Sequence, residues 1–399
     1  MKNQLLEGIR VLDFTQFLAG PYCSMFLADM GAEVIKVENL KGNGDFVRSA
    51  MPREKKTNRS MYFGNLNRNK KSVCLDLKTQ EGKELFAELI KSADVLVENN
   101  RPGVMARLGF GYEDCKKLNP SLIFASISGF GQYGPYSERP GYDLIAQAMS
   151  GSMSMTGWPG MEPTRAGMAI GDLFAGLNAC IGILASLFKR KETGLGQSID
   201  VALVDSLVSC LEAKMMQYVY DGKVPEKSGN RYIASAPYDS FSAGDTDYVI
   251  ASGTDKHFIS LSAAMGMPEL AQDPRFIDTE SRKANADELK VIINKWGSDK
   301  TAKQCVDIIL GAGVPAGPIY DMKDVYEDEH INAREMFVKV NHPEAGELTV
   351  IGNPIKMSDY PVQYNKAAPD AGENDNEIFE ALGFSKEKLE EYRQKGALK

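Results

Sequence analysis

Histidine is scarce: only His257, His330 and His342 occur in 399 residues, none beside another or beside a cysteine. A His-based metal centre or a Ser-His triad is therefore not expected, because both need imidazoles at defined separations from their partners. The six cysteines (Cys23, Cys74, Cys115, Cys180, Cys210, Cys305) are scattered with no C-x-x-C pair, so no zinc knuckle or disulfide framework is indicated and most read as small core hydrophobes. No window reaches the ~20 uninterrupted apolar residues of a membrane span. Met1 to Ile9 carries no apolar export core before Val11 and Leu12 begin a strand. Basic blocks are missing too, with 46 basic against 54 acidic residues and a net charge of -8. A soluble cytoplasmic protein that binds neither nucleic acid nor membrane is expected. The lack of a G-x-x-x-x-G-K-[ST] loop removes the phosphate cradle of an ATP-driven ligase. Repeats and low-complexity tracts are absent as well.

What is present is ample core material, 43% hydrophobic residues, enough for two or three domains. Ile9 to Phe14 reads as a strand, and Pro21, Met25, Phe26 and Met30 as a helix ended by Gly31; Val34 to Val37 is the next strand. The pattern recurs with a strand at Val73 to Leu77, a helix capped by Thr79, and strands at Val95 to Val97 and Leu122 to Ile127. Strands alternating with helices predict an α/β fold, a doubly wound Rossmann-like sheet with ligands beyond its carboxyl edge. A long helix is expected from about Asp172 to Lys191, with Leu177, Ile181, Leu184 and Phe188 in one stripe, and a second through Val204 to Tyr220. A hairpin over Asp239 to Ser252, turning near Gly244 and Asp245, opens a smaller α+β domain. From about Val340 the chain reads as irregular, with a charged surface helix near Lys386 to Gln394. The expected organisation is a large domain over 1–220 completed by 335–399, a small one over 225–325, and linkers near 205–225 and 325–335.

Two motifs invite chemistry. Gly129-Phe-Gly131-Gln-Tyr-Gly134 matches a dinucleotide fingerprint, but Pro135, Ser137 and Pro140 prolong a loop where that fingerprint needs a helix, so a strand-to-loop glycine cluster is the better reading. Gly171-Asp172 interrupts a run of small and apolar residues, with Ala175, Gly176 and Ala179 sharing a face with the aspartate. Asp172 reads as an N-cap, or as a carboxylate that the helix N-terminus keeps ionised and able to act as a nucleophile; the two roles are compatible.

The ordered set of short motifs resembles the class III CoA-transferases, the group of formyl-CoA and carnitine CoA-transferases and, by fold, the α-methylacyl-CoA racemases. It comprises Leu12-Asp13-Phe14-Thr15 with Ala19-Gly20-Pro21, Gly31 to Glu38, Asn67 to Ser72 with Leu75-Asp76-Leu77-Lys78, and Val97-Glu98-Asn99. It continues through Arg107-Leu108-Gly109-Phe110, Pro140-Gly141-Tyr142-Asp143, Gly171-Asp172, Gly194 to Val201 and Gly313 to Pro318. The resemblance implies that Asp172 attacks an acyl-CoA thioester to give an aspartyl anhydride, a nearly thermoneutral exchange that requires neither ATP nor metal. It implies coenzyme A bound along Leu18, Ala19, Leu75, Lys78, Asn99, Asn100, Arg107 and Tyr142, with Asn39 where those enzymes carry a CoA-contacting arginine. Taken alone, Lys78 and Arg107 read as solvated surface charges. The partners implied are an acyl-CoA, a small carboxylic acid and a second copy of the chain in an interlocked homodimer.

Leu18 stands where formyl-CoA transferases have a pocket glutamine, and their glycine run is missing between Lys227 and Asp239, which argues against oxalate and formate. Met149, Met153, Met155 and Met168 flank the aspartate and read as core filler or as the lining of an acyl pocket. A racemase is the first alternative, but the histidine its acid–base pair needs is Tyr142 here, a poor proton carrier at neutral pH. A non-catalytic acyl-CoA binder is the second.

Overall fold

The computed structural model describes residues 4–42 and 44–399; Met1–Asn3, the start of the segment read as free of an export core, lie outside the described residues. The chain forms two compact units, one of Met1–Ser152, Arg165–Met216 and His330–Lys399, the other of Met153–Thr164 and Gln217–Glu329.

In the first unit strands and helices alternate: β1 Arg10–Phe14, α1 Ala19–Asp29, β2 Glu33–Asn39, α2 Met61–Leu66, β3 Lys70–Leu75, α3 Gln80–Ser92, β4 Val95–Glu98, α4 Val104–Leu108, α5 Tyr112–Leu118 and β5 Ile123–Ser128. After α6 Asp143–Met149 the chain passes through the short α7 Ser152–Met155 into the second unit, and returns for α8 Ile170–Thr193, β6 Ser198–Ala202 and α9 Leu203–Val208. The six strands pair in the order β3-β2-β1-β4-β5-β6, every neighbour parallel. Side chains alternate across the sheet: Val11, Val95 and Val97 enter a core with α1 and α8, while Leu12 and Leu96 enter the opposite one with α3 and residues 378–398. Burial on both faces is why these strands read as continuous apolar runs.

Several expectations give way. Edge strand β6, Ser198-Ile-Asp-Val-Ala, leaves two of its five residues exposed and only one buried, and so lacks an apolar run. α8 begins at Ile170 and buries chiefly a different face: Ala175, Gly176, Ala179, Ile183 and Leu187 are buried, Leu177 and Leu184 are half-buried against the same core, and Ile181 is 64% and Phe188 71% exposed. The small residues serve helix packing, since a Cβ on Gly176 would stand 2.6 Å from the Ala19 carbonyl oxygen of α1. By length and composition α8 could cross a membrane, but here it lies against α1, β5 and β6. The helix expected through Tyr220 is two: α9 ends at Val208, and helix Glu212–Asp221 starts with Glu212 in the left-handed region at φ 48°.

Where irregular chain was expected, Phe337–His342 pairs antiparallel with Gly346–Ile351. The charged helix Lys386–Gln394 docks Leu389 and Tyr392 into the second core, and the Asp76 N–H donates to the Ala397 carbonyl at 3.0 Å, so the chain end lies along β3. In the second unit the expected hairpin is present as Tyr238–Ser242 with Asp247–Ala251, joined by Ala316–Pro318, over a core of its own that includes Tyr248, Phe258, Ile293 and Ile309. All cysteines are free thiols, five buried and Cys210 exposed.

Candidate active site

The strand order reverses between β1 and β4, so the loops leaving their carboxyl ends diverge and open a crevice. A cavity of about 400 Å³ lies there, walled by Gln16 to Ala19 after β1, Asn99 to Pro102 after β4, Ser128 and Gly129 at the end of β5, Arg139 to Leu144, Tyr62, Leu203, Ala169 and Asp172. The Asn99 amide bridges the divergent loops, accepting the Gln16 N–H at 2.8 Å and donating to the Gln16 carbonyl at 2.6 Å. Buried Glu98 accepts both the backbone and side-chain N–H of Asn100, at 2.8 and 3.2 Å, and burial raises its carboxyl above the ordinary value.

The β1 loop rests on a buried ionic network. Asp13 accepts from Lys70 Nζ at 2.8 Å, Ser24 Oγ at 2.7 Å and the Thr15 N–H at 3.1 Å, while Lys36 donates to the Thr15 carbonyl at 2.9 Å and pairs with Asp45 at 2.9 Å. Burial alone would raise the Asp13 carboxyl, but the charges of Lys36 and Lys70 hold it below its ordinary value; burial pushes Lys70 down to about 8. Asp45 accepts the Phe17 N–H at 3.2 Å, and Phe17 sits at φ 65°, a left-handed conformation that bulky residues rarely adopt and that is typical of functional loops. Its ring meets Tyr142 edge-on, centroids 6.1 Å apart.

Asp172 is the third residue of α8, not its N-cap, which is Ala169. Its carboxyl lines the cavity and is pushed up to about 7, first by burial and then by the negative charge of Asp143. The expectation that the helix N-terminus keeps it ionised holds only in part: burial and the Asp143 charge outweigh the helix dipole, which acts over one turn and is worth about 1 kcal/mol. A carboxyl poised near neutrality in a cleft has the character of an activated nucleophile or base.

Of the residues singled out in the sequence, Leu18, Ala19, Asn99, Asn100, Tyr142 and Asp172 line this one cavity. Asn39, Leu75, Lys78 and Asn100 line a second, of about 190 Å³, beyond β2 and β3; Gln16 and Asn100 belong to both. Arg107 is exposed on α4 and lines neither. Met149 and Met168 are exposed and outside this cavity, so they are not core filler, and Met153 and Met155 belong to the second unit. The glycine-rich loop after β5 runs on without a helix until Asp143. Among the described residues, no three His, Cys, Asp or Glu side chains gather as a metal site. Sequence reasoning passed over Tyr62, Arg101, Arg139 and Gln147, and quoted Asp143 only within a motif. The last two, four apart on one helix face, offered the only local signal.

The profile of CoA-transferase family III matches residues 6–375. An acetyl-CoA:oxalate CoA-transferase of Acetobacter aceti is 42% identical over 355 residues, covering 89% of this chain and 89% of the relative. A succinyl-CoA:mesaconate CoA-transferase of Haloarcula hispanica is 42% identical over 386 residues, covering 95% and 96%. The crystal structure of a CAIB/BAIF family protein from Brucella suis superposes with a TM-score of 0.87 at 37% identity, covering 96% of this chain and all of that one. The α/β architecture, the cavity at the switch point and the match along nearly the whole length agree, and the chain belongs to CoA-transferase family III.

Proposed function

We propose that this protein transfers CoA from an acyl-CoA donor to a small carboxylic acid through covalent intermediates on Asp172. The observation that carries this reading is a partly buried carboxyl, poised near neutrality, on the wall of a cavity where the sheet order reverses. The Asp172 carboxylate attacks the thioester carbonyl and expels the CoA thiolate, leaving an aspartyl–acyl anhydride. The thiolate attacks the aspartyl carbonyl, the donor acid leaves as its carboxylate, and an aspartyl–CoA thioester remains. The acceptor carboxylate attacks that thioester and the same two steps run in reverse. Every bond broken is an activated acyl bond, so no external energy source is needed.

The thioester end of CoA is assigned to Leu18, Ala19, Asn99, Asn100 and Tyr142, and its nucleotide end to Asn39, Leu75 and Lys78 in the adjoining cavity; Arg107 would reach CoA only from the surface of α4. Arg101 and Arg139 bring positive charge to the cavity wall, suited to an acid substrate. Relatives act, by their names, on oxalate and mesaconate, which supports a small carboxylic acid as acceptor. The functional form is proposed to be an interlocked homodimer, supported by the exposed apolar Ile181, Phe188 and Leu195.

Mass spectrometry after mixing with acyl-CoA should find an acid-labile acyl adduct on Asp172, absent from Asp172→Ala, which should also lose turnover. In heavy water a 2-methylacyl-CoA should keep its protium, because an anhydride route never touches that carbon. Near-normal turnover by Asp172→Ala would overturn the nucleophile; catalytic deuterium uptake would make the protein a racemase.

A further inference from the structure

The turn of α8 that carries Asp172 has no cap of its own, because Ala169 has no side-chain oxygen to offer. The acceptor comes from α6. Asp143 Oδ1 accepts the Gly171 N–H at 2.8 Å, and Asp143 Oδ2 accepts from Gln147 Nε2 at 2.7 Å. Gln147, one turn further along α6, is 0% exposed. Its Oε1 accepts the Ala166 N–H at 2.8 Å, and its Nε2 also reaches the Met168 carbonyl at 3.3 Å. Two buried side chains on one helix face thus fasten the backbone at 166, 168 and 171, the segment that leads into Asp172. Residue 171 has to be small for this: a Cβ there would stand 3.1 Å from Asp143 Oδ1 and 3.4 Å from both Ala146 and Leu207. Each polar atom of Gln147 has one role, so the polarity of the arrangement is fixed.

We propose that Asp143 and Gln147 form a clamp that positions the Asp172 nucleophile, with Asp143 serving as the N-cap of α8 from a neighbouring helix. The proposal rests on the reading of Asp172 as nucleophile. Neither residue touches the reacting atoms in this role; both act through the backbone that holds Asp172. The ionisable groups on the cavity wall are Tyr62 from α2, Arg101 after β4, Arg139 and Tyr142 before α6, Asp143 and Asp172, while α1 and α9 contribute only uncharged residues. Asp143 is the negative charge that acts on Asp172, so its removal also alters the titration of the nucleophile.

A polarity swap tests the clamp. Asp143→Asn keeps an oxygen for Gly171 but turns an amide toward the Gln147 amide, donor against donor. kcat is expected to fall about 10²-fold, the effect of a small misplacement of a reacting group, with KM for acyl-CoA within about threefold of wild type. Adding Gln147→Glu to that variant sets an acceptor opposite the introduced amide but also opposite the Met168 carbonyl, so kcat should recover in part, by about tenfold. Simple space filling by the pair predicts no such recovery. The acid limb of kcat/KM should move to lower pH in Asp143→Asn, because the charge beside Asp172 is gone. Wild-type kcat in Asp143→Asn, or a double variant no better than the single, overturns the clamp. Asp172→Ala assayed in parallel separates the two ideas: it stays inactive if the nucleophile is right and only the clamp is wrong. Should the variants not fold, amide hydrogen exchange on the wild-type protein decides, since the Ala166 and Gly171 amides should be protected and open-loop exchange rates would overturn the proposal.

Discussion

At Asp172 function and stability pull in opposite directions. Its carboxyl rises from an ordinary value of 3.8 to about 7 because burial and Asp143 both disfavour the charge. The folded chain therefore holds a proton between these values that the unfolded chain releases. The stabilisation is complete below pH 3.8 and is lost as pH climbs through about 7. A shift of this size corresponds to at most about 4 kcal/mol, reduced by solvent reaching a partly open site. Asp172→Asn, which cannot ionise, should melt at a higher temperature than wild type at pH 8, converge with it near pH 4, and be inactive. Identical melting at pH 8 would mean the carboxyl is well solvated. In the wild-type enzyme kcat/KM should fall on the acid side with a midpoint near 7, as the nucleophile becomes protonated.

Among the elements, the crossing of α1 and α8 is the one most open to a decisive substitution, because it sets the cavity wall from two sides. α1 begins at Ala19 and α8 carries Asp172, and they touch at Gly176, where no side chain intervenes. In an isolated helix Gly→Ala stabilises by about 1 kcal/mol. Here the added Cβ would meet the Ala19 carbonyl at 2.6 Å and Tyr22 at 3.2 Å, backbone and ring that cannot yield without moving α1. Gly176→Ala should therefore reverse sign and destabilise by about 1–3 kcal/mol in urea unfolding, with weaker CoA binding as Leu18 and Ala19 shift. A stabilised variant would show that the helices do not meet there.

For the whole molecule, the apolar surface left on one chain is the telling feature. Ile181, Phe188 and Leu195 are each more than 60% exposed, and helix Glu212–Asp221 buries none of its residues. Large apolar side chains left in water mark an interface. Sedimentation should give twice the chain mass of 43.8 kDa, and Phe188→Asp with Ile181→Asp should release the monomer. A wild-type monomer at micromolar concentration would refute the proposed dimer.

Local periodicity was enough to foresee the parallel α/β alternation, because strands buried on both faces and helices ended by Gly31 and Gly194 write their pattern within a few residues. It was enough to single out Asp172, a charge among small residues. Val338 and Val340, alternating with Lys339 and Asn341, carried a period-two signal for the hairpin that composition obscured. What periodicity could not decide was which face of α8 lies inside, since Leu177, Ile181, Leu184 and Phe188 form a stripe as apolar as any core. Only contact with α1 made the small face the buried one. Nor could it supply the cap of that helix, because the acceptor for Gly171 lies 28 residues earlier on another helix. The pKa of Asp172 belongs to tertiary structure as well: desolvation and a neighbouring charge are properties of the assembled cavity, and no window of sequence contains them.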